Sequence, residues 1–393
     1  IVASKAIEDL RLGSFTEKST RYVVFDTGSF HDLPELSPPA CRTYRSTCRE
    51  LFATYLELFP IVEARLEALV PVDPAHKPKA RSNALRAHAC DLLRGLLPAS
   101  TMTNLGVTAN ARALATLLTK MMSSPLQEVR ALAAAMRDEA RVVAPSLVRH
   151  VDHNPYRASL RDVLAAAAPK LLVEQGHDER LPVRVVRHDE DALERIALAL
   201  LYDQRVEPHA GQRLEQLRRL TREQLTHLVR EALRARGPFD APPRAFEASS
   251  MLVELELDYG AYRDLQRHRM LAPFTQLLGC TLGASVPPEL DVLGVGDSVR
   301  RAHDHAAQTW RSLHEAHPWQ AQYVVPLAFR IRTLWSLSLR ELFYVVELRS
   351  GKQGHASYRR IAQAMYRAAC HVHPWLADVV RVDLNDYALA RSG

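Results

Sequence analysis

Met251-Leu252-Val253-Glu254-Leu255-Glu256-Leu257-Asp258 leads, nine positions on, into Arg267-His268-Arg269. Apolar residues alternate with acidic ones through the first segment, which is the pattern of a half-buried strand. The residues after it read as a short helical run that ends on two guanidiniums and an imidazole. Three such neighbours repel one another unless an anion sits among them, and the planar fork of arginine suits bidentate bonds to phosphate. The same triplet also reads as a solvated basic helix end.

The chain has 393 residues, room for about two domains. Its 47% hydrophobic and 24% charged content is ordinary for a soluble globular protein. No apolar run reaches the roughly 18 residues of a membrane span, and no signal peptide is read at the start. The five cysteines (41, 48, 90, 280 and 370) show no metal-binding spacing; they suggest a reducing, cytoplasmic setting. Cys41 and Cys48, two helical turns apart, read as buried thiols. The net charge is +6, but the basic residues are scattered among acidic ones. No basic stripe with aromatic platforms is present, so nucleic acid is not an expected partner.

Residues 14–20 read as a polar loop and Tyr22-Val23-Val24-Phe25 as a short strand. Helices are expected over 41–70, 83–97, 108–122 and 126–148, with a Pro-rich break at 71–81 and an Ala-rich helix after Pro155. A second start comes at Leu181, with a strand at 182–186 and a helix over 191–204. Thr221 and Gln224 form a capping box before another helix. Residues 286–296 read as a loop, 298–317 as a long helix, and the chain is expected to stay helical to about 378.

The chain also repeats itself. Pro98 is followed by Asn110-Ala111-Arg112-Ala113-Leu114, and Pro326 by Ser338-Leu339-Arg340-Glu341-Leu342, at the same spacing. Each copy continues through apolar helices to a proline, Pro145 or Pro374. Two copies of one unit are expected, over 1–180 and 181–393.

These residues resemble the flavin-dependent thymidylate synthases, the ThyX family. Its signature is Arg-His-Arg, two residues, Ser, one residue, Asn-Glu, one residue, Ser, one residue, Arg-Tyr. The second half carries Arg267-His268-Arg269, then departs, with Ala272 for Ser and Thr275 for Glu. The first half has Asp9-Leu10-Arg11 in place of the triplet, but keeps Ser14, Glu17, Ser19, Arg21 and Tyr22, with Thr16 for the Asn. Phe246-Glu247 resembles the family's Phe-Glu-His, with Ala248 for the His, and Asp264 stands where the family has Gln. The arginine before the family's Leu-Pro element falls on Arg94 in one half and Gln322 in the other. The late helix-end arginine falls on Arg349 and Met121.

The losses are complementary. In the family the nucleotide site lies between subunits, and each half here keeps the parts that one side would supply. The resemblance therefore implies a helix-rich α/β fold and one composite site. Its substrate-binding residues would be Glu17, Ser19, Arg21, Arg94, Arg267 and Arg349, with Arg349 as the catalytic guanidinium at the uracil ring. Arg267, His268, Arg269, Glu17, Asn110 and Arg112 would hold FAD, although Arg112 reads equally as a structural residue of its helix, as does Arg340. The implied reaction is methylation of dUMP to dTMP with methylenetetrahydrofolate and NADPH, or a related C5 transfer. The alternative is a catalytically silent flavin- or nucleotide-binding or assembly protein. A fused pair of units implies a homodimer equivalent to the family tetramer. Eight residues precede Asp9, whereas eighty-four positions separate Val183 from Arg267, so the first unit is expected to lack its opening part.

Other signals are weaker. Gly294-Val295-Gly296 follows no predicted strand and reads as a helix start capped by Asp297. The pairs His150/His153, His303/His305 and His371/His373 lack a third ligand, so they read as surface or capping histidines and no metal is expected.

Overall fold

The computed structural model describes residues 1–70, 78–172, 181–204 and 207–387. The centre of the Pro-rich break at 71–81 and the boundary at 180/181 lie outside them.

The first unit runs α1 (Val2–Glu8), β1 (Gly13–Glu17), α2 (Pro38–Leu69), α3 (Pro78–Leu93), β2 (Leu105–Ala109), α4 (Ala111–Met122), α5 (Gln127–Val143), α6 (Pro145–Val148) and α7 (Pro155–Leu171). The second opens with β3 (Val183–His188), α8 (Ala192–Leu200), α9 (Ala210–Arg218), α10 (Arg222–Leu233) and β4 (Ser250–Asp258). It continues through α11 (Tyr259–Leu265), β5 (Ala272–Thr275), α12 (Glu289–Val292), α13 (Gly296–His314), α14 (Pro318–Ala321), β6 (Arg330–Ser338), α15 (Leu339–Ser350) and α16 (Ala356–Val372). The result is a mixed, helix-rich α/β fold.

β4 forms as its alternation requires. Met251, Val253, Leu255 and Leu257 are buried, and the strand sits inside an antiparallel sheet ordered β3-β4-β6-β5. The capping box at Thr221 and Gln224 is present, and Cys41 and Cys48 are buried. No described helix is long and apolar enough to cross a membrane.

Several local readings are corrected. Residues 13–17 form a strand, because pairing with β2 satisfies their backbone; Phe15 is the one large apolar side chain among them. Tyr22–Phe25 is irregular and follows a turn at Ser19. Residues 105–109 form a strand, and α4 begins at Ala111, capped by Asn110. β6 replaces the expected helix over 330–338, with Ile331, Thr333, Trp335 and Leu337 facing inward. Residues 289–292 form a helical turn inside the expected loop. Asp297 lies in the first turn of α13 and pairs with Arg300, while Val295 holds the cap position. His303 and His373 are buried, contrary to the surface reading.

The duplication is visible in register. Glu17 faces Leu105 across β1 and β2, and the counterpart pair Thr275 and Thr333 faces across β5 and β6. Asn110 and Ser338 cap α4 and α15 through their side chains. The two copies meet about a pseudo-two-fold axis. Pro98 pairs antiparallel with Pro326, its own counterpart, and the Ala99 and Leu327 N–H groups donate across the seam to the Val325 and Leu97 carbonyls. Gln266 donates to its counterpart Glu8. Arg11 donates to the Leu271 carbonyl while Arg269 donates to the Gly13 carbonyl, a reciprocal pair that a two-fold relation requires. One hydrophobic core runs through both units.

His303 on α13 donates through Nε2 to the Gly95 carbonyl at 3.1 Å, which ties α13 to the turn before Pro98. Burial pushes its pKa down to about 4. The unfolded chain, with histidine near 6.5, binds that proton more readily, so stability is full above pH 6.5 and is lost as pH falls toward 4. His303 alone should account for on the order of 2 kcal/mol of that loss. In urea melts at pH 7.5 and 4.5, His303→Gln, which keeps a donor for Gly95, should lose clearly less stability than wild type; an equal loss contradicts this.

Candidate functional site

The pseudo-two-fold arrangement brings the end of β1, the turn at Ser19 and the end of α3 against α11, the Arg-His-Arg triplet, α15 and α16. Glu17 ends β1. Its side chain is 1% exposed and accepts from Arg263 and Arg267 of the second unit, and from the Ser4 hydroxyl at 3.2 Å. Glu8 lies 3.5 Å from Arg267. Burial and the neighbouring Glu17 raise the Glu8 carboxyl above its usual range.

Arg94 is 4% exposed and donates to Asp264 at 3.0 Å. Gly260 gives it room, since a Cβ there would stand 3.2 Å from Arg94 Nη2. Burial raises the Asp264 carboxyl, but Arg94, Arg21 and Arg267 outweigh it and hold the pKa at about 2. Arg21 forms a bidentate pair with Asp91, at 2.8 and 3.0 Å, and donates to Tyr358 Oη at 3.1 Å. Ser19 accepts from the Arg21 N–H at 3.2 Å and so shapes the turn that presents Arg21.

Arg349 ends α15. Its Nε donates to His268 Nε2 at 2.8 Å, and its guanidinium lies 5.6 Å from the Tyr358 ring centroid, as does that of Arg21. His268 Nδ1 in turn faces Glu341 Oε1 at 3.3 Å. Among the described residues Arg349 is the cluster arginine with no carboxylate partner.

The structure thus brings together Glu17, Ser19, Arg21, Arg94, Arg267, His268 and Arg349. Arg269 is exposed and bonded to Gly13, which faces Ala109, the residue before Asn110. Asn110 caps α4 through its side-chain oxygen, and Arg112 is exposed two residues further on. Arg340 is structural, bonding the Pro242 carbonyl and Glu247.

The expected external anion among the guanidiniums is not required, because Asp91, Asp264, Glu8 and Glu17 neutralise four of the positions around them. Asp264 was legible as a departure from a family pattern. Asp91, Tyr358, Glu341 and Arg263 carried no signal, since nothing local marks partners 70 or more positions away. Arg94 Nη2, Arg263 Nε and the Tyr259 hydroxyl are buried with no hydrogen-bond partner among the described residues. A cavity of about 310 Å³ adjoins the cluster, walled by Asp91, Asp258, Arg330, His355 and Ser357 among others. Burial pushes Asp258 up and brings His355 down to about 3. No described group of histidine, cysteine and acidic residues has the makings of a metal site.

The sequence profile of the family described as thymidylate synthase complementing protein matches residues 1–146 and 184–375. A UPF0159 protein of Chlamydia muridarum is 36% identical over 408 residues, a match that spans 100% of this chain and 77% of the relative. A UPF0159 protein of Thermoplasma acidophilum is 30% identical over 425 residues, spanning 99% and 84%. Among solved structures, the flavin dependent thymidylate synthase ThyX from Helicobacter pylori, complexed with FAD and dUMP, is 15% identical with a TM-score of 0.37. That match covers 51% of this chain and 100% of the other.

Glu17 is the shared acceptor for two arginines of the other unit. Removing one partner of a buried ion pair strands the other charge, at about 3–5 kcal/mol. Glu17→Ala should therefore destabilise the protein by about that much, and an Arg263→Met/Glu17→Ala double variant should recover part of the loss. Additive losses in urea melts would contradict the coupling.

Proposed function

Because the chain belongs to the thymidylate synthase complementing protein family, we propose that it methylates dUMP at C5, or performs a closely related C5 transfer on a pyrimidine nucleotide. Methylenetetrahydrofolate would donate the carbon, and NADPH the electrons through FAD. The observation that carries this reading is the convergence of Glu17, Arg21 and Arg94 from one unit with Arg267 and Arg349 from the other.

Arg349 is the guanidinium free to meet a ligand edge. Beside N3 and O4 of uracil it would favour the ring anion, which raises electron density at C5. Arg21, Arg94 and Arg267 would supply donors and charge to the phosphate. The Ser19 hydroxyl accepts from the backbone and keeps its own proton to donate. Glu17 holds Arg263 and Arg267 in place.

The chemistry of the donor set also suits a flavin dinucleotide. Arg267, Arg269 and Arg112 are exposed cations fit for a pyrophosphate, and the Asn110 amide nitrogen stays available while its oxygen caps α4. Bound FAD would supply the electrons that reduce the transferred carbon. His268, buried beneath Arg349, would act on the nucleotide side.

A silent flavin- or nucleotide-binding or assembly protein is the second reading. It is favoured by Asp264, which gives Arg94 a carboxylate of its own, and by Ala248 in place of the family histidine. The fused units would assemble as a homodimer, with light scattering at twice the chain mass.

On calorimetric titration dUMP should bind the purified protein, which should carry the yellow colour of oxidised flavin. Arg21→Ala and Arg349→Ala, on opposite units, should each weaken binding more than about tenfold, or about 1.4 kcal/mol. Binding and colour without turnover would select the silent reading. No affinity for any uracil nucleotide would end the composite-site account.

A further inference from the structure

The fold contains its own control for one buried polar chain. His268, Glu341 and Arg349 have as counterparts in the first unit Leu10, Ala113 and Met121, all buried. The same architecture is therefore closed there with three apolar side chains. In the second unit the equivalent space holds an imidazole, a carboxylate and a guanidinium. Burying such groups costs free energy that hydrophobic packing would not, and replacing them by apolar side chains is often neutral or stabilising. Packing therefore gives no reason for the chain to be polar on one side of the pseudo-axis alone.

Its geometry supplies a reason. Arg349 Nε is a donor under all conditions, since guanidinium does not deprotonate in proteins. At 2.8 Å it requires a lone pair on His268 Nε2. The proton of a neutral imidazole must then sit on Nδ1, which faces Glu341 Oε1 at 3.3 Å. The two lie within electrostatic reach but are not aligned as a hydrogen bond, and both atoms are buried with no hydrogen-bond partner among the described residues. With the opposite tautomer, or a protonated ring, two donors would face each other at Nε2 and Arg349 would be released. Burial, aided by Arg349, disfavours the protonated ring and outweighs the opposing pull of Glu341. The Tyr344 ring meets the imidazole edge-on with centroids 5.0 Å apart, which limits its rotation.

We infer that Glu341 is a positioning residue: by fixing the His268 tautomer it holds the Arg349 guanidinium, through Nε, with its two terminal nitrogens turned to the ring edge of a uracil-type ligand. The part concerning the ligand rests on the uracil-nucleotide reading above; the part concerning the tautomer does not. Glu341 touches no ligand in this scheme. It acts through His268, as a carboxylate behind an imidazole commonly does.

The test has two arms on the full chain. The first is nitrogen-15 NMR of histidine-labelled, ligand-free protein at pH 7.5, with His268→Gln used to assign the signal. Wild type and Glu341→Gln, which still offers an oxygen to Nδ1–H, should show Nε2 as the unprotonated nitrogen. Glu341→Ala, which copies Ala113 of the first unit, should shift His268 toward a mixture of tautomers while melting within a few degrees of wild type. The second arm is titration with dUMP. Glu341→Ala should raise Kd about tenfold, and Glu341→Gln should stay within about twofold to threefold of wild type. An unchanged tautomer in Glu341→Ala overturns the inference, as does equal loss of binding in the Gln and Ala variants. If wild type binds no dUMP, the nucleotide reading falls, and the NMR arm alone decides the tautomer claim.

Discussion

The antiparallel pairing of the segments around Pro98 and Pro326 is the constraint on which the rest of the structure depends. Buried backbone donors and acceptors have to be paired. Here those of one unit are paired by the counterpart residues of the other. Only a two-fold relation lets a segment pair with its own copy in that way. Once it is set, β1 and the end of α3 in one unit must lie against α11 and the Arg-His-Arg triplet of the other. Any site built there takes residues from both units.

A two-fold relation also makes two such sites, and covalent fusion lets them differ. At one, Glu17, Arg94 and Arg349 stand among further charges. At the other the counterparts are Thr275, Gln322 and Met121. Thr275 donates to the Tyr262 hydroxyl at 2.8 Å, and Gln322 is satisfied by the Leu278 N–H and the Trp319 carbonyl. Met121 is core. At the second location Met121 and Gln322 are buried, and Thr275 and Gln322 bond locally. The first is a dense charge cluster that balances itself, through Asp91, Asp264, Glu8 and Glu17, and leaves Arg349 over.

Much of this was legible in the sequence, for physical reasons that differ by element. β4 announces itself because acidic residues mark its second face. The helices of the first unit show apolar spacing over many turns. β6 alternates as cleanly, in Ile331, Thr333, Trp335 and Leu337, but runs into α15 without a break, and the helical pattern beyond it spread backward in the reading. β1 and β2 are five residues each, and tertiary pairing makes them strands. For the site, motif spacing placed seven residues in one cluster because the units obey a common register. The pairings of the neutralising carboxylates were not legible. Asp91 and Asp264 reach arginines 70 and 170 positions away, and no local pattern encodes such a pairing.

The central claim is that one composite site, and not two, forms between the units of a single chain. The most direct measurement is the stoichiometry of dUMP binding to protein of known active concentration, by calorimetry or equilibrium dialysis. The account predicts one nucleotide per chain, because the counterpart location is filled by Met121 and its neighbours. Two per chain, or one per chain retained after Arg349→Met, would contradict it.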